Sequence, residues 1–210
     1  MYALFVSAFI TLFVVIDPPG CAPIYAGLSS GASAAQARAM AIRACGIAGA
    51  ILLVFALFGA ALLDALHIEL AAFRIAGGIM LFVIALDMVL ERRTERREQR
   101  AEKVRSDSAP AVKDVSVFPM AMPMIAGPGS IATVMLLMSR ATGWAAMAVI
   151  LAALAVVLVL TLVALLAART LMRLVGAQVE AVITRLLGVL LAALAAQYVI
   201  DGVRAVWVTL

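Results

Sequence analysis

Histidine occurs once in the 210 residues and cysteine twice, and aromatic residues make up 6%. His67 stands alone, and Cys21 and Cys45 form no CxxC pair, so zinc sites, haem attachment and a disulfide scaffold lack the residues to build them. No metal and no cofactor is expected. Charge is equally scarce, at 13% of the chain where a soluble domain carries about 25%. No Lys or Arg precedes Arg38, which leaves no basic n-region for a cleaved secretory signal, and the N-terminus reads as a retained span. The chain contains no P-loop, no HExxH and no GxSxG, so neither direct ATP hydrolysis nor a hydrolytic active site is indicated. No catalytic residue is assigned, and the protein is not expected to be an enzyme.

What the chain does have is apolar surface. Its hydrophobic share is 66%, against about 45–50% in soluble domains, and the excess suits lipid. At roughly 20 residues per membrane-spanning helix, the apolar runs read as six spans, over 2–28, 43–63, 70–90, 115–139, 144–168 and 182–203. Of the 28 charged residues, 14 fall between Glu91 and Asp114, so one polar segment divides the chain. The expected organisation is a first three-helix unit over 1–90, a charged cytoplasmic linker over 91–114 and a second three-helix unit over 115–210.

The net charge of +4 and pI of about 9.6 would suit nucleic acid, but the basic residues cluster beside the spans. With the N-terminus outside, the internal connections hold 13 Lys and Arg and the external ones hold 3. Positive-inside topology accounts for this bias, puts both termini outside and places Tyr2, Trp144 and Trp207 at the outer interface. No nucleic-acid partner is expected. The six acids among the basic residues of the linker favour a solvated connector over an anionic-lipid patch.

With three spans on each side of the linker, the second unit must enter the membrane from the opposite face. A repeat between the units is therefore inverted, giving an all-α membrane protein of six transmembrane helices as a 3+3 inverted repeat with broken first and fourth helices. Asp17-Pro18-Pro19-Gly20 interrupts the first span and Gly127-Pro128-Gly129-Ser130 the fourth, at an offset of 109 or 110 residues. The third and sixth spans correspond through Arg74-Ile-Ala-Gly77 and Arg185-Leu-Leu-Gly188, and each run then reaches an aspartate, Asp87 or Asp201.

Proline lacks an N–H and clashes one turn back, at a cost of roughly 3 kcal/mol in a helix interior. Pro18, Pro19 and Pro23 should free the carbonyls of Val14, Val15 and Pro19, and Pro119, Pro123 and Pro128 those of Val115, Pro119 and Met124. Such backbone is tolerated at membrane depth only when protein buries it or it lines a polar cavity. Paired Pro/Gly-broken helices in two halves mark the midplane binding site of a transporter. The restarted helices offer N–H groups and positive dipole ends to an anion, and the freed carbonyls with Asp17 offer acceptors to an ammonium or a coupling cation. A small zwitterion satisfies both.

The candidate substrate-binding residues are Asp17, Pro18, Pro19, Gly20, Cys21, Pro23, Pro123, Gly127, Pro128, Gly129, Ser130 and Thr133. Asp17, Arg74, Asp87, Arg185 and Asp201 are the candidates for coupling or gating. Each has a plainer reading. Asp before Pro is also a good N-cap, Ser and Thr hydroxyls bond back to helix carbonyls, and charges near span ends snorkel to the interface. On the gating reading, inversion pairs Arg74 with Asp201 on the outer side and Asp87 with Arg185 on the inner. Met120, Met122 and Met124 read as adaptable packing.

With Asp17-Pro-Pro-Gly-Cys-Ala-Pro-Ile24, Pro119-Met-Ala-Met-Pro-Met-Ile-Ala-Gly-Pro-Gly-Ser-Ile-Ala-Thr133 and Phe73-Arg-Ile-Ala-Gly-Gly78 in view, the chain resembles the MarC family of integral membrane proteins. The resemblance covers the whole chain. It implies a six-span protein of the bacterial inner membrane, some of whose relatives move glycine, alanine and other neutral amino acids with proton coupling. Family members commonly carry Asn-Pro-x-Gly in the first motif; here Asp17 replaces the Asn and Pro19 fills the x, which adds a titratable group. The expected function is secondary transport of small neutral amino acids by alternating access, with a passive channel or a non-transporting membrane subunit as alternatives. The expected partners are the amino acid and the bilayer, with a homo-oligomer left open.

Overall fold

The computed structural model describes residues 1–90 and 114–209, and the basic linker residues Arg92 to Lys113 lie outside them. The elements are α1 (Tyr2–Ile16), α2 (Pro18–Leu28), α3 (Ala34–Ala65), α4 (Leu70–Val89), an irregular helical segment α5 (Ser116–Ile125), α6 (Pro128–Ser139), α7 (Trp144–Leu166) and α8 (Ala168–Thr209). No strand occurs among the described residues. Five stretches are long and apolar enough to cross a membrane, and a sixth is counted if the bent pair α5–α6 forms one span.

Local signals set most boundaries. Ser33 and Gln36 form a reciprocal capping box, which starts α3 nine residues before the expected span at 43. Gly143 turns the chain into α7 at φ 83°, where only glycine is unstrained. The sixth span is the last part of the 42-residue α8, which begins at Ala168 and extends the helix well before the expected start at 182. Just before α5, Ser116 donates its N–H at 3.0 Å to Asp114. Together with Arg43 at 2.8 Å, Ser116 holds the Asp114 carboxyl below its ordinary range.

The first span breaks at Asp17, and α5–α6 bends by 52° at its break. Phe118 and Met122, each preceding a proline, take extended φ/ψ inside α5, as the proline ring requires of the residue before it; both following peptide bonds are cis. The chain compensates with wide turns, in which Met120 N–H reaches Val115 O at 3.2 Å and Ala126 N–H reaches Ala121 O at 2.9 Å. The Val115 carbonyl, expected to be free, is therefore bonded: an i→i+5 turn skips the residue that the proline disables.

The two broken spans form the centre. More than half of the most apolar stretch of 2–28 is buried, 56%, against 22–33% in the four unbroken spans. One apolar core links α1, α2, α3, α5, α6 and α7, and a second joins Val14 and Val15 to Leu81, Met88, Leu136, Leu191 and Tyr198. The outward faces of α3, α4, α7 and α8 carry exposed apolar side chains such as Phe58, Phe82, Val159 and Leu190, as lipid contact demands.

Helices α4 and α8 lie antiparallel along a seam of small residues. A Cβ on Gly78 would stand 2.9 Å from Ala195 O, one on Gly188 would stand 2.9 Å from Met88 Cβ, and one on Gly202 would stand 3.0 Å from Ala71 O. Positions rising along α8 thus meet positions falling along α4. Gly78→Ala is expected to lower stability by about 1–3 kcal/mol through overpacking. Gly46→Ala, where no atom lies within 4 Å, should be neutral or stabilising. Thermal unfolding of the two variants in detergent measures the contrast.

Candidate functional site at the paired helix breaks

Asp17 makes the first break. It adopts the left-handed conformation, φ 59° and ψ 65°, which Asp and Asn enter more readily than other side chains. Its N–H closes α1 on Phe13 O at 2.9 Å, and its carboxylate opens α2 by accepting Gly20 N–H at 3.1 Å. Pro18 follows at the first helical position, where its missing N–H costs nothing. One residue thus ends one helix and caps the next, so the N-cap role is realised in a side chain 1% exposed. Gly20 makes this fit: a Cβ there would lie 2.2 Å from Asp17 Oδ2. Cys21 N–H returns to Asp17 O at 3.1 Å, and its thiol donates to Ile16 O at 3.6 Å. Pro19 and Pro23 are half-buried in the same turn.

At the second break the corresponding helix end has no such cap. Gly127 is the N-cap of α6 and Pro128 its first residue, and no side chain bonds the helix start. The first intrahelical donor is Ile131, whose N–H reaches Gly127 O at 3.0 Å. The N–H groups of Gly129 and Ser130 precede it, at the positive end of the dipole. A Cβ on Gly127 would stand 2.4 Å from Pro123 O, which shows how tightly the chain doubles back. Ser130 is 3% exposed and Thr133 fully buried, and Thr133 Oγ1 has no hydrogen-bond partner.

The structure brings the two breaks together. Gly129, Thr133 and Leu136 share one face of α6. The space a Cβ on Gly129 would take lies 2.4 Å from Ile84 Cδ1 and 3.5 Å from Val15 Cγ1, two residues before Asp17. Leu136 packs into the gap left by Gly77 on α4. The uncapped start of α6 thus packs against Ile84 and against α1 just before its break, with the Thr133 hydroxyl one turn further along the helix. The two clefts described, about 360 Å³ and about 510 Å³, lie near opposite ends of α3 and include no break residue.

The charged candidates sort by register along the α4–α8 seam. Arg74 and Asp201 lie at one end and Asp87 and Arg185 at the other. The ion-pair partner of Asp201, however, is Arg140, at 2.5 Å, and Gln197 Nε2 donates to its second oxygen at 2.7 Å. The Arg140 guanidinium also lies over the Tyr198 ring, 4.5 Å from its centroid. Arg140 is one of the three basic residues, with Arg74 and Arg204, that the charge bias expects in the external connections. No local pattern signals the pair, because Arg140 and Asp201 lie 61 residues apart in sequence. Arg169 was missed in the same way: its Nη2 donates to Ser29 O at 2.7 Å and Ala32 O at 3.1 Å, closing the C-terminal end of α2.

Comparison with known proteins matches residues 2–207 to the family described as MarC family integral membrane protein. The chain belongs to the MarC family. Among its relatives, the UPF0056 membrane protein YvbG of Bacillus subtilis is 33% identical over 210 residues, covering 99% of this chain and 97% of its own. The UPF0056 membrane protein MJ1677 of Methanocaldococcus jannaschii is 32% identical over 95% of this chain and 96% of its own. YhcE of Escherichia coli is 29% identical over 98% and 94%. No solved structure matches. The protein is an integral membrane protein of a family with bacterial members.

The cap geometry has a direct consequence. Asp17→Ala is expected to cost about 1–2 kcal/mol, while Asp17→Asn, which keeps both the left-handed conformation and the acceptor, should unfold near the wild-type temperature. Gly20→Ala displaces the same carboxylate and should match Asp17→Ala, with the double variant no worse than either. Thermal unfolding of the four proteins in one detergent checks this.

Proposed function

We propose that this MarC-family protein is a secondary transporter of small neutral amino acids of the glycine and alanine type, coupled to protons or another cation. The observation that carries the reading is the buried, unpartnered Thr133 hydroxyl on the uncapped start of α6, packed beside the break at Asp17. Among the described residues, a buried hydroxyl without a partner costs about 1–3 kcal/mol, and a bound solute recovers that loss. The substrate carboxylate takes the N–H groups of Gly129 and Ser130 with Thr133 Oγ1. Asp17 shows on the same chain what a helix start of this kind accepts.

Asp17 supplies the negative charge that answers the ammonium or receives the coupling proton. A protonated carboxyl is a weaker acceptor for Gly20 N–H, so proton uptake and the geometry of the first break are linked.

The packing supports alternating access by two inverted halves. Exchanging α1–α4 for α5–α8 turns the α1–α7 contact into α5–α3, α2–α7 into α6–α3, and α2–α8 into α6–α4, and all six contacts are present. The α4–α8 seam exchanges with itself and is antiparallel, as inversion requires. The bias of basic residues supports an inner-membrane orientation with both termini outside.

Counterflow of labelled glycine and alanine into proteoliposomes tests the reading. Saturable exchange is expected. Thr133→Val should raise the half-saturation concentration about 5- to 15-fold, the value of one hydrogen bond of 1–1.5 kcal/mol. Asp17→Asn should keep exchange and lose the response to an imposed pH gradient. Uptake without counterflow would indicate a passive channel, and no uptake by folded protein would overturn the assignment.

A further inference from the structure

The 360 Å³ cleft lies away from the breaks, where α2 ends, α3 begins and α7 passes into α8; its walls include Tyr25, Ser29, Arg38, Leu165, Leu166 and Arg169. The hydroxyl groups of its floor are already used. The Tyr25 hydroxyl donates to Ala37 O, and Ser29 Oγ donates to Tyr25 O at 2.7 Å. Arg169 spends one nitrogen, Nη2, on the carbonyls of Ser29 and Ala32, leaving the rest of its guanidinium to the cleft. Arg38 is exposed and has no carboxylate partner among the described residues. Asp114, a carboxylate of this end, is held by Arg43.

The cleft therefore presents two cations, Arg38 and Arg169, from the two halves of the chain. Such a site takes an acceptor-only anion. Beside the cations, Leu165 is buried and Leu166 is 47% exposed, an apolar wall that a soluble anion would not use. We infer that this cleft is a binding site for the phosphate headgroup of an anionic phospholipid, held by Arg38 and Arg169 with its glycerol and acyl chains along Leu165 and Leu166. Basic pockets between helices on the cytoplasmic side bind such headgroups, and the basic-residue bias assigns this end to the cytoplasm. The site is separate from the proposed transport site and does not rest on it.

The test uses the full-length protein in nanodiscs of phosphatidylcholine alone or with phosphatidylglycerol, with retained lipid counted by native mass spectrometry and thermal unfolding followed in parallel. Phosphatidylglycerol should be retained at least tenfold over phosphatidylcholine and should raise the unfolding temperature. Arg38→Gln should reduce that preference at least fivefold with no change in unfolding in phosphatidylcholine, and Arg38→Lys should recover most of it. Arg43→Gln, on the same helix but outside the cleft, should leave the preference intact. Equal retention in wild type and Arg38→Gln would overturn the site. Displacement of phosphatidylglycerol by millimolar glycerol phosphate would overturn its assignment to a lipid.

Discussion

A backbone N–H or C=O in hydrocarbon costs several kcal/mol unless the protein itself bonds it, and this chain interrupts its helical ladder inside two apolar spans. The rest of the architecture answers that problem. The first broken span is the most deeply buried, and exposed apolar side chains cover the outward faces of α3, α4, α7 and α8, with Val117, Phe118 and Met122 of α5 beside them. The breaks are repaired by different chemistry. Asp17 repairs the first with a left-handed turn and a carboxylate cap. The second is repaired by wide turns that carry the chain past Pro119 and Pro123.

The two breaks therefore differ in how their second helix starts. The Asp17 side chain occupies one helix start, while the other begins with glycine and proline and carries a buried hydroxyl one turn on. A symmetric pair of capped breaks would be merely structural, and a symmetric pair of open ones would leave too many polar groups unsatisfied. One capped helix start thus packs beside one start that has no side-chain cap.

Much of this was legible in the sequence. Apolar run length located the spans, since a bilayer imposes about 20 residues on a helix, and the Asp-Pro-Pro-Gly and Gly-Pro-Gly-Ser motifs located the breaks because proline and glycine act locally. The i→i+5 turns in α5 were not legible, because proline announces a lost bond but not the route by which the backbone recovers. Arg140 and Arg169 were missed for another reason. Both lie beyond the ends of apolar runs, and what they bond is 61 and 140 residues away in sequence, a separation that no local pattern encodes. The early start of α3 was readable in Ser33 and Gln36, but hydropathy sees only the apolar part of a helix.

The antiparallel seam between α4 and α8 bears on how the molecule holds together as a whole. The two helices come from opposite sides of the charged segment, and at Gly78 and Gly202 they approach backbone to backbone. Halves fastened by so close a contact depend on chain continuity chiefly for local concentration, as tethered partners do. A nick within the connecting segment would therefore leave a two-piece protein whose fragments stay assembled, and the same contact would let separately synthesised halves find each other in the bilayer.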